Sequence, residues 1–133
     1  MRFVHVNIRV LDIEASLAFY EALGFERRGR LQFAGAYNVY LGLPSDTDTL
    51  ELTVNEDRDE AYDLGDGYGH VALAVEDLDD LLGRLSRQGI EPEKPPYHPG
   101  DREELRICFV QDPDGYRIEL IDGDFATPQD PEG

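Results

Sequence analysis

One stretch of this chain occurs twice. His5, Val6, Val10, Asp12, Leu17, Gly24 and Glu26 return as His70, Val71, Val75, Asp77, Leu82, Gly89 and Glu91, all at one offset of 65 residues and without a gap. Seven identities at a single offset are not expected by chance, so the 133 residues read as two related modules. A chain of this length has room for one ordinary core.

Each copy carries the same local signals. A short apolar strand is followed by an Asp at the N-cap, apolar residues at helical spacing, and a Gly where the helix must stop. In the first helix the apolar set is Ile13, Leu17, Tyr20 and Leu23, and in the second it is Leu78, Leu81, Leu82 and Leu85. Segments rich in β-formers come next: "RRGRLQF", "AYNVYLGL" and "DTLELTV" in the first half, "ELRICFV", the turn "DPDG" and "YRIELI" in the second. The expected fold class is α+β, with two βαβββ modules in tandem. Module 1 is expected over residues 1–56 and module 2 over 68–122, inside a single domain that ends in a short acidic tail at 123–133. That tail, "GDFATPQDPEG", is poor in apolar residues and is expected to fray.

Strand geometry with a period of two assigns the faces. On the first strand His5, Asn7 and Arg9 share one side while Val6, Ile8 and Val10 share the other. On "TLELTVN" Glu51, Thr53 and Asn55 alternate with Leu50, Leu52 and Val54, and on "YRIELI" Arg117 and Glu119 alternate with Ile118 and Leu120. One face of each sheet is therefore expected to be oily and covered, the other polar and open. "LEL" at 50–52 corresponds to "IEL" at 118–120 once three extra loop residues are allowed. Each module thus offers one His from its first strand and one Glu from its last.

Two histidines and two glutamates on open faces make a reasonable set for nickel, cobalt, zinc, manganese or iron, with positions left for water or substrate. Taken singly, a strand His or Glu is more often a solvated surface group. The weight lies in both pairs recurring together.

At these residues the sequence resembles a known family. "HVNIRVLDIEASLAFYEALGF", "LELTVN", "YGHVALAVEDLDDLLGRL" and "FVQDPDGYRIELI" are similar to the glyoxalase I (lactoylglutathione lyase) family of the vicinal oxygen chelate superfamily, and the likeness runs from residue 1 to about 122. The resemblance implies the glyoxalase/bleomycin-resistance/dioxygenase-like fold, in which mixed sheets form a cup with helices on the outer face. It places the metal ligands at His5, Glu51, His70 and Glu119. The implied reaction isomerises the hemithioacetal of methylglyoxal and a thiol to a D-lactoyl thioester through an enediolate, in methylglyoxal detoxification. Glu119 is the first choice for the base and Glu51 the second. The family pattern also sets Arg9 and Asn55 against the γ-glutamyl carboxylate of the thiol, with a structural ion pair as the other role for Arg9. The chain is short and without long insertions, which resembles the nickel- or cobalt-activated class rather than the zinc class, with one metal per site. The resemblance further implies a homodimer in which His5 and Glu51 of one chain meet His70 and Glu119 of the other.

Two departures leave the thiol open between glutathione and a shorter γ-glutamyl thiol. Asn55 is followed by "EDRDEAYD" where relatives usually carry Trp-Gly, and the loop before the last hairpin is the proline-rich "EPEKPPYHPGDREEL". Lys94, Arg102 and Arg106 are the cations in reach of a glycyl carboxylate there, while His98 has no repeat partner and is expected at the surface. The other functions in view are a different enzyme of the superfamily, such as an acyl-thioester epimerase or a lyase for another thiol adduct, and a metal-free protein that binds a small molecule.

Charge excludes other classes. A net charge of −17 repels nucleic acid and anionic membranes, and no apolar run of membrane-spanning length or signal-peptide type is present. A cytoplasmic protein fits. The basic residues are eleven Arg and one Lys against 29 acids, a balance that resembles proteins of salt-loving organisms. The single Cys108 sits in an apolar run and is expected to be a buried structural thiol.

Overall fold

Alternation along the strands decides which way each sheet faces. In the computed structural model, which describes residues 1–129, Ile8 of the first strand is buried while Asn7 and Arg9 are exposed, and Leu50, Leu52 and Val54 are buried between half-exposed Glu51, Thr53 and Asn55. The elements run β1 (Val6–Arg9), α1 (Ile13–Leu23), β2 (Glu26–Phe33), β3 (Ala36–Gly42), β4 (Leu50–Asn55), β5 (Val71–Val75), α2 (Leu78–Ser86), a short 3-10 turn (Pro99–Asp101), β6 (Ile107–Gln111) and β7 (Arg117–Asp122). They form two units: one of residues Met1–Tyr68 with Asp112–Tyr116, and one of Gly69–Gln111 with the chain from Arg117 on. The end of the acidic tail, 130–133, lies outside the described residues.

The first unit has a four-stranded mixed sheet in the order β1-β4-β3-β2, with β1 and β4 parallel. Val39, Leu41, Leu50 and Leu52 of its oily face are buried, as are Leu17, Phe19 and Tyr20 of α1. Tyr20 stands edge-on to both Phe19 and Phe25, at 5.0 and 5.8 Å between ring centroids. Its hydroxyl donates to Asp112 at 2.6 Å, and the other oxygen of Asp112 accepts from the backbone N–H of Asp114 and of Tyr116. Burial first, and then the charge of Asp112, keep the Tyr20 phenol protonated.

The second unit has a three-stranded sheet, β5-β7-β6, again with the first and last strands of the module parallel. The registers repeat as the sequence does. Asn7 lies opposite Glu51, and 65 residues on Ala72 lies opposite Glu119. The α+β class and the strand-helix order of both modules are as expected. The second module, however, has two strands after its helix where three were expected. The missing strand's place is taken by the segment before β6, which is joined to it by a single bridge, Tyr97 with Ile107, and a bond from Glu93 N–H to Phe109 C=O. Pro92, Pro95 and Pro96 supply no N–H there, so no ladder can run.

Both helices stop the same way. Gly24 N–H bonds Glu21 C=O while Phe25 N–H bonds Tyr20 C=O, and Gly89 and Ile90 repeat the pair on Ser86 and Leu85. These are Schellman closures, with φ of 109° at Gly24 and 79° at Gly89. The second helix proper ends at Ser86, and a last tightened turn carries it to the glycine. Asp12 accepts from the N–H of Glu14 and Ala15, and Asp77 from that of Asp80, so both expected N-caps are made. No helix among the described residues is long and apolar enough to cross a membrane.

Candidate active site

His5 ends the coil before β1 and Glu51 lies on β4, so the parallel pairing of these strands brings both onto the open face of the first sheet. His5 Nε2 is 3.3 Å from Glu51 Oε1. The ring of Tyr40, from the next strand, stands edge-on to the His5 ring at 6.0 Å. Asn7 donates to Glu51 Oε1 at 2.8 Å, and Asn38 donates to Glu51 Oε2 at 3.1 Å. The Tyr40 phenol is raised above its ordinary value: the Asn38 bond pulls it down, but the Glu51 bond, burial and the Glu51 charge outweigh that.

The second unit repeats the pair. His70 Nε2 is 3.3 Å from Glu119 Oε1. The side chains beside it differ in character, since Glu119 stands in register with Ala72 and Phe109. Phe109 meets the His70 ring edge-on at 5.2 Å, and the guanidinium of Arg117 lies 3.9 Å over the Phe109 ring. Arg117 in turn forks onto Glu93 at 2.8 and 2.9 Å, and Gln111 donates to the same carboxylate. Those bonds, Arg117 first, hold Glu93 down to about 2. The open face here is less polar than expected, because Ile107, Phe109 and Ile121 form a buried apolar cluster against Tyr97 and Leu105.

The spacing of both pairs suits a shared cation. Two ligands at right angles, each about 2.1 Å from a metal, lie about 3 Å apart, and both His–Glu contacts are 3.3 Å. Imidazole with carboxylate is also the donor chemistry of borderline divalent ions. Among the described residues no group of three or more His, Cys, Asp or Glu side chains stands close enough to hold a metal, so each unit brings a pair.

The remaining predicted residues fall as follows. Arg9 is exposed beyond Asn7 on the open side of β1, and its guanidinium makes no ion pair among the described residues. Asn55 lies at the far end of β4 and donates to the Tyr62 hydroxyl at 2.9 Å. Arg106 is engaged by Asp79 and Asp122, and Arg102 by Glu104, so these two cations already have carboxylate partners. Lys94 lies 4.0 Å over the Tyr97 ring. His98 is exposed, with Nδ1 against the Leu105 carbonyl. Cys108 is fully buried, and burial pushes its thiol up to about 11, which makes it inert near neutral pH. Strand alternation alone places Asn7 and Thr53 on the open face and assigns them no task. Asn38 and Phe109 come to the two pairs only through the cross-strand registers, and Glu93, outside any strand, is reached only through Arg117 and Gln111, so sequence alone does not point to them.

Residues 2–120 match the Glyoxalase/Bleomycin resistance protein/Dioxygenase superfamily. The chain is 41% identical over 128 residues to the lactoylglutathione lyase of Neisseria meningitidis, with 91% of this chain and 90% of that protein covered. In three dimensions it resembles glyoxalase I from Zea mays with a TM-score of 0.83 and 30% identity, covering 92% of this chain but spanning only 45% of the maize chain. It also resembles the trypanothione-dependent glyoxalase I of Leishmania major, with a TM-score of 0.75, 32% identity, and 92% and 86% of the two chains covered. With the matched span taking in both His–Glu pairs, this chain is a member of the Glyoxalase/Bleomycin resistance protein/Dioxygenase superfamily.

Proposed function

We propose that this chain is a lactoylglutathione lyase that converts the hemithioacetal of methylglyoxal and a γ-glutamyl thiol into a D-lactoyl thioester. The observation that carries the reading is the duplicated His–Glu pair, at the same 3.3 Å on the open face of each sheet. The likeness to the Neisseria lyase over nearly the whole of both chains supports it.

His5, Glu51, His70 and Glu119 would hold one divalent cation per site, nickel or cobalt rather than zinc. Since each unit supplies one pair, the four ligands come together in a homodimer, His5 and Glu51 from one chain and His70 and Glu119 from the other. When bound, the cation would supply positive charge against the negative charge that builds on the substrate during the proton transfer. Glu119 removes the proton from the carbon bearing sulfur and hydroxyl, and the same carboxyl returns it to the adjacent carbon. The first carbon is thereby oxidised to the thioester level and the second reduced to the alcohol, so no external oxidant is needed. Arg9 meets the γ-glutamyl carboxylate in a two-pronged contact, with Asn55 beside it.

The thiol is glutathione or a shorter γ-glutamyl thiol, and the partner carboxylates on Arg102 and Arg106 leave Lys94 as the cation for a glycyl end. The strongly acidic chain acts in the cytoplasm. The test is a thiol panel with methylglyoxal on nickel- or cobalt-loaded protein, following thioester formation. Turnover with glutathione or γ-glutamylcysteine is expected; a protein that makes no thioester with any thiol overturns the reading.

A further inference from the structure

The two glutamates of the duplicated pair are not held alike. Around Glu51 the hydrogen bonds close into a ring. Asn7 Nδ2 donates to Glu51 Oε1 at 2.8 Å and to Thr53 Oγ1 at 2.7 Å, Thr53 Oγ1 donates to Asn38 Oδ1 at 2.7 Å, and Asn38 Nδ2 donates to Glu51 Oε2 at 3.1 Å. Every donor and acceptor role in this circuit is consistent. The Thr53 hydroxyl accepts once and donates once, and reversing the Asn38 amide would set its oxygen against the Glu51 carboxylate and its NH2 against the Thr53 proton. The ring spans three neighbouring strands, with Asn7 opposite Glu51 and Asn38 opposite Thr53, so it is fixed by register rather than by loop conformation. Asn38 is buried, which keeps its amide from exchanging partners with water.

Glu119 has no such ring. Its register neighbours, Ala72 and Phe109, bear no polar side chain; His70 stands 3.3 Å from Glu119, and the charge of Arg117 also reaches Glu119. Arg117, two residues away on the same strand, is turned to Glu93 and the Phe109 ring. A carboxylate that shuttles a proton has to change its direction during the reaction. One with amide donors on both oxygens, and the Tyr40 phenol bonded to it as well, must break at least two hydrogen bonds to do so.

We infer that Asn7, Asn38 and Thr53 are positioning residues that pin Glu51 as a fixed metal ligand, and so leave Glu119 as the acid free to carry the proton. This rests on the lyase reading above. It also explains how a site built from a repeat has two unequal halves.

The test uses Asn7→Leu and Asn38→Leu, which keep volume and remove the donors, singly and together, in the parent and in a Glu119→Gln background. Asn7 is exposed, so the Asn7→Leu protein should fold even if the buried Asn38 change does not. Calorimetric titration of the metal-free protein with nickel should show Kd weakened by about 10- to 100-fold, the usual effect of removing an outer partner of a ligand. The visible spectrum of bound cobalt should shift with it. In the Glu119→Gln background the released Glu51 should raise the residual kcat by roughly tenfold, a part of the ~10²–10⁴ that a positioned base supplies, with KM little changed. A merely structural ring would lower or leave that residual rate. Unchanged nickel affinity and cobalt spectrum in Asn7→Leu, or a residual rate that does not rise, overturns the inference. A parent that binds no metal and turns over no hemithioacetal overturns the lyase reading instead.

Discussion

His70 stands just before β5 on the side away from half-buried Val71, Leu73 and Val75, so its removal tests the proposed metal site while leaving those apolar side chains in place. His70→Ala should lose nickel and turnover together while its melting curve stays close to the parent's, read by calorimetry and circular dichroism. Glu119→Gln keeps the size and an oxygen ligand but removes the basic group. Metal should remain, more weakly held, while kcat falls by about two to four orders of magnitude, as for loss of a positioned general base. A Glu119→Gln protein that turns over at the parent rate would remove Glu119 from that role. The two His–Glu pairs, the proposed ligands, were legible in the sequence because they sit in the repeat and strand alternation gives their faces. The residues that make the halves unequal were not, because Asn38 and Phe109 reach the pairs through pairings with β4 and β7 that sequence alone does not specify.

At the level of elements, the helix ends carry the repeat most faithfully, and their cost can be read. A Cβ on Gly24 would meet nothing closer than Leu43 at 3.9 Å, so Gly24→Ala is disfavoured by its φ of 109° and not by a clash. The strain should lower unfolding free energy by about 1–2 kcal/mol, measured by urea titration, with the site's metal affinity unaltered. The turn after β6 gives a pH signature. Asp112 is raised above the ordinary aspartate value because burial penalises its charge more than the Tyr20 and backbone bonds favour it. A raised folded value means that the native form holds the proton more tightly than the unfolded chain does. Stability from this group is therefore present below the ordinary aspartate range and is lost as pH rises through the higher folded value. Asp114, raised by burial as well, adds the same sign. Asp112→Asn should flatten that decline, seen as a smaller difference in melting temperature between pH 4 and pH 7 than in the parent. The turn itself was legible from "DPDG", with Gly115 at φ 94°. Its hydrogen bond with Tyr20, 92 residues away in sequence, was not.

For the molecule as a whole, the charge and the assembly each make a prediction. With 29 acids against 12 bases, self-repulsion should be relieved as the screening length shrinks from about 10 Å at 0.1 M to about 3 Å at 1 M salt. Melting temperature should therefore climb from dilute buffer to molar potassium chloride, and a flat or falling curve would count against adaptation to salt. The proposed dimer can be tested by complementation between two inactive proteins. If each site takes His5 from one chain and His70 from the other, a heterodimer of His5→Ala with His70→Ala has one site carrying both lesions and one carrying neither. Random mixing makes half of the dimers mixed, so co-refolding the two proteins should restore about a quarter of parent activity from partners that have almost none alone. If each chain instead closed a site from its own two pairs, every site in the mixture would keep one lesion, and no activity would return.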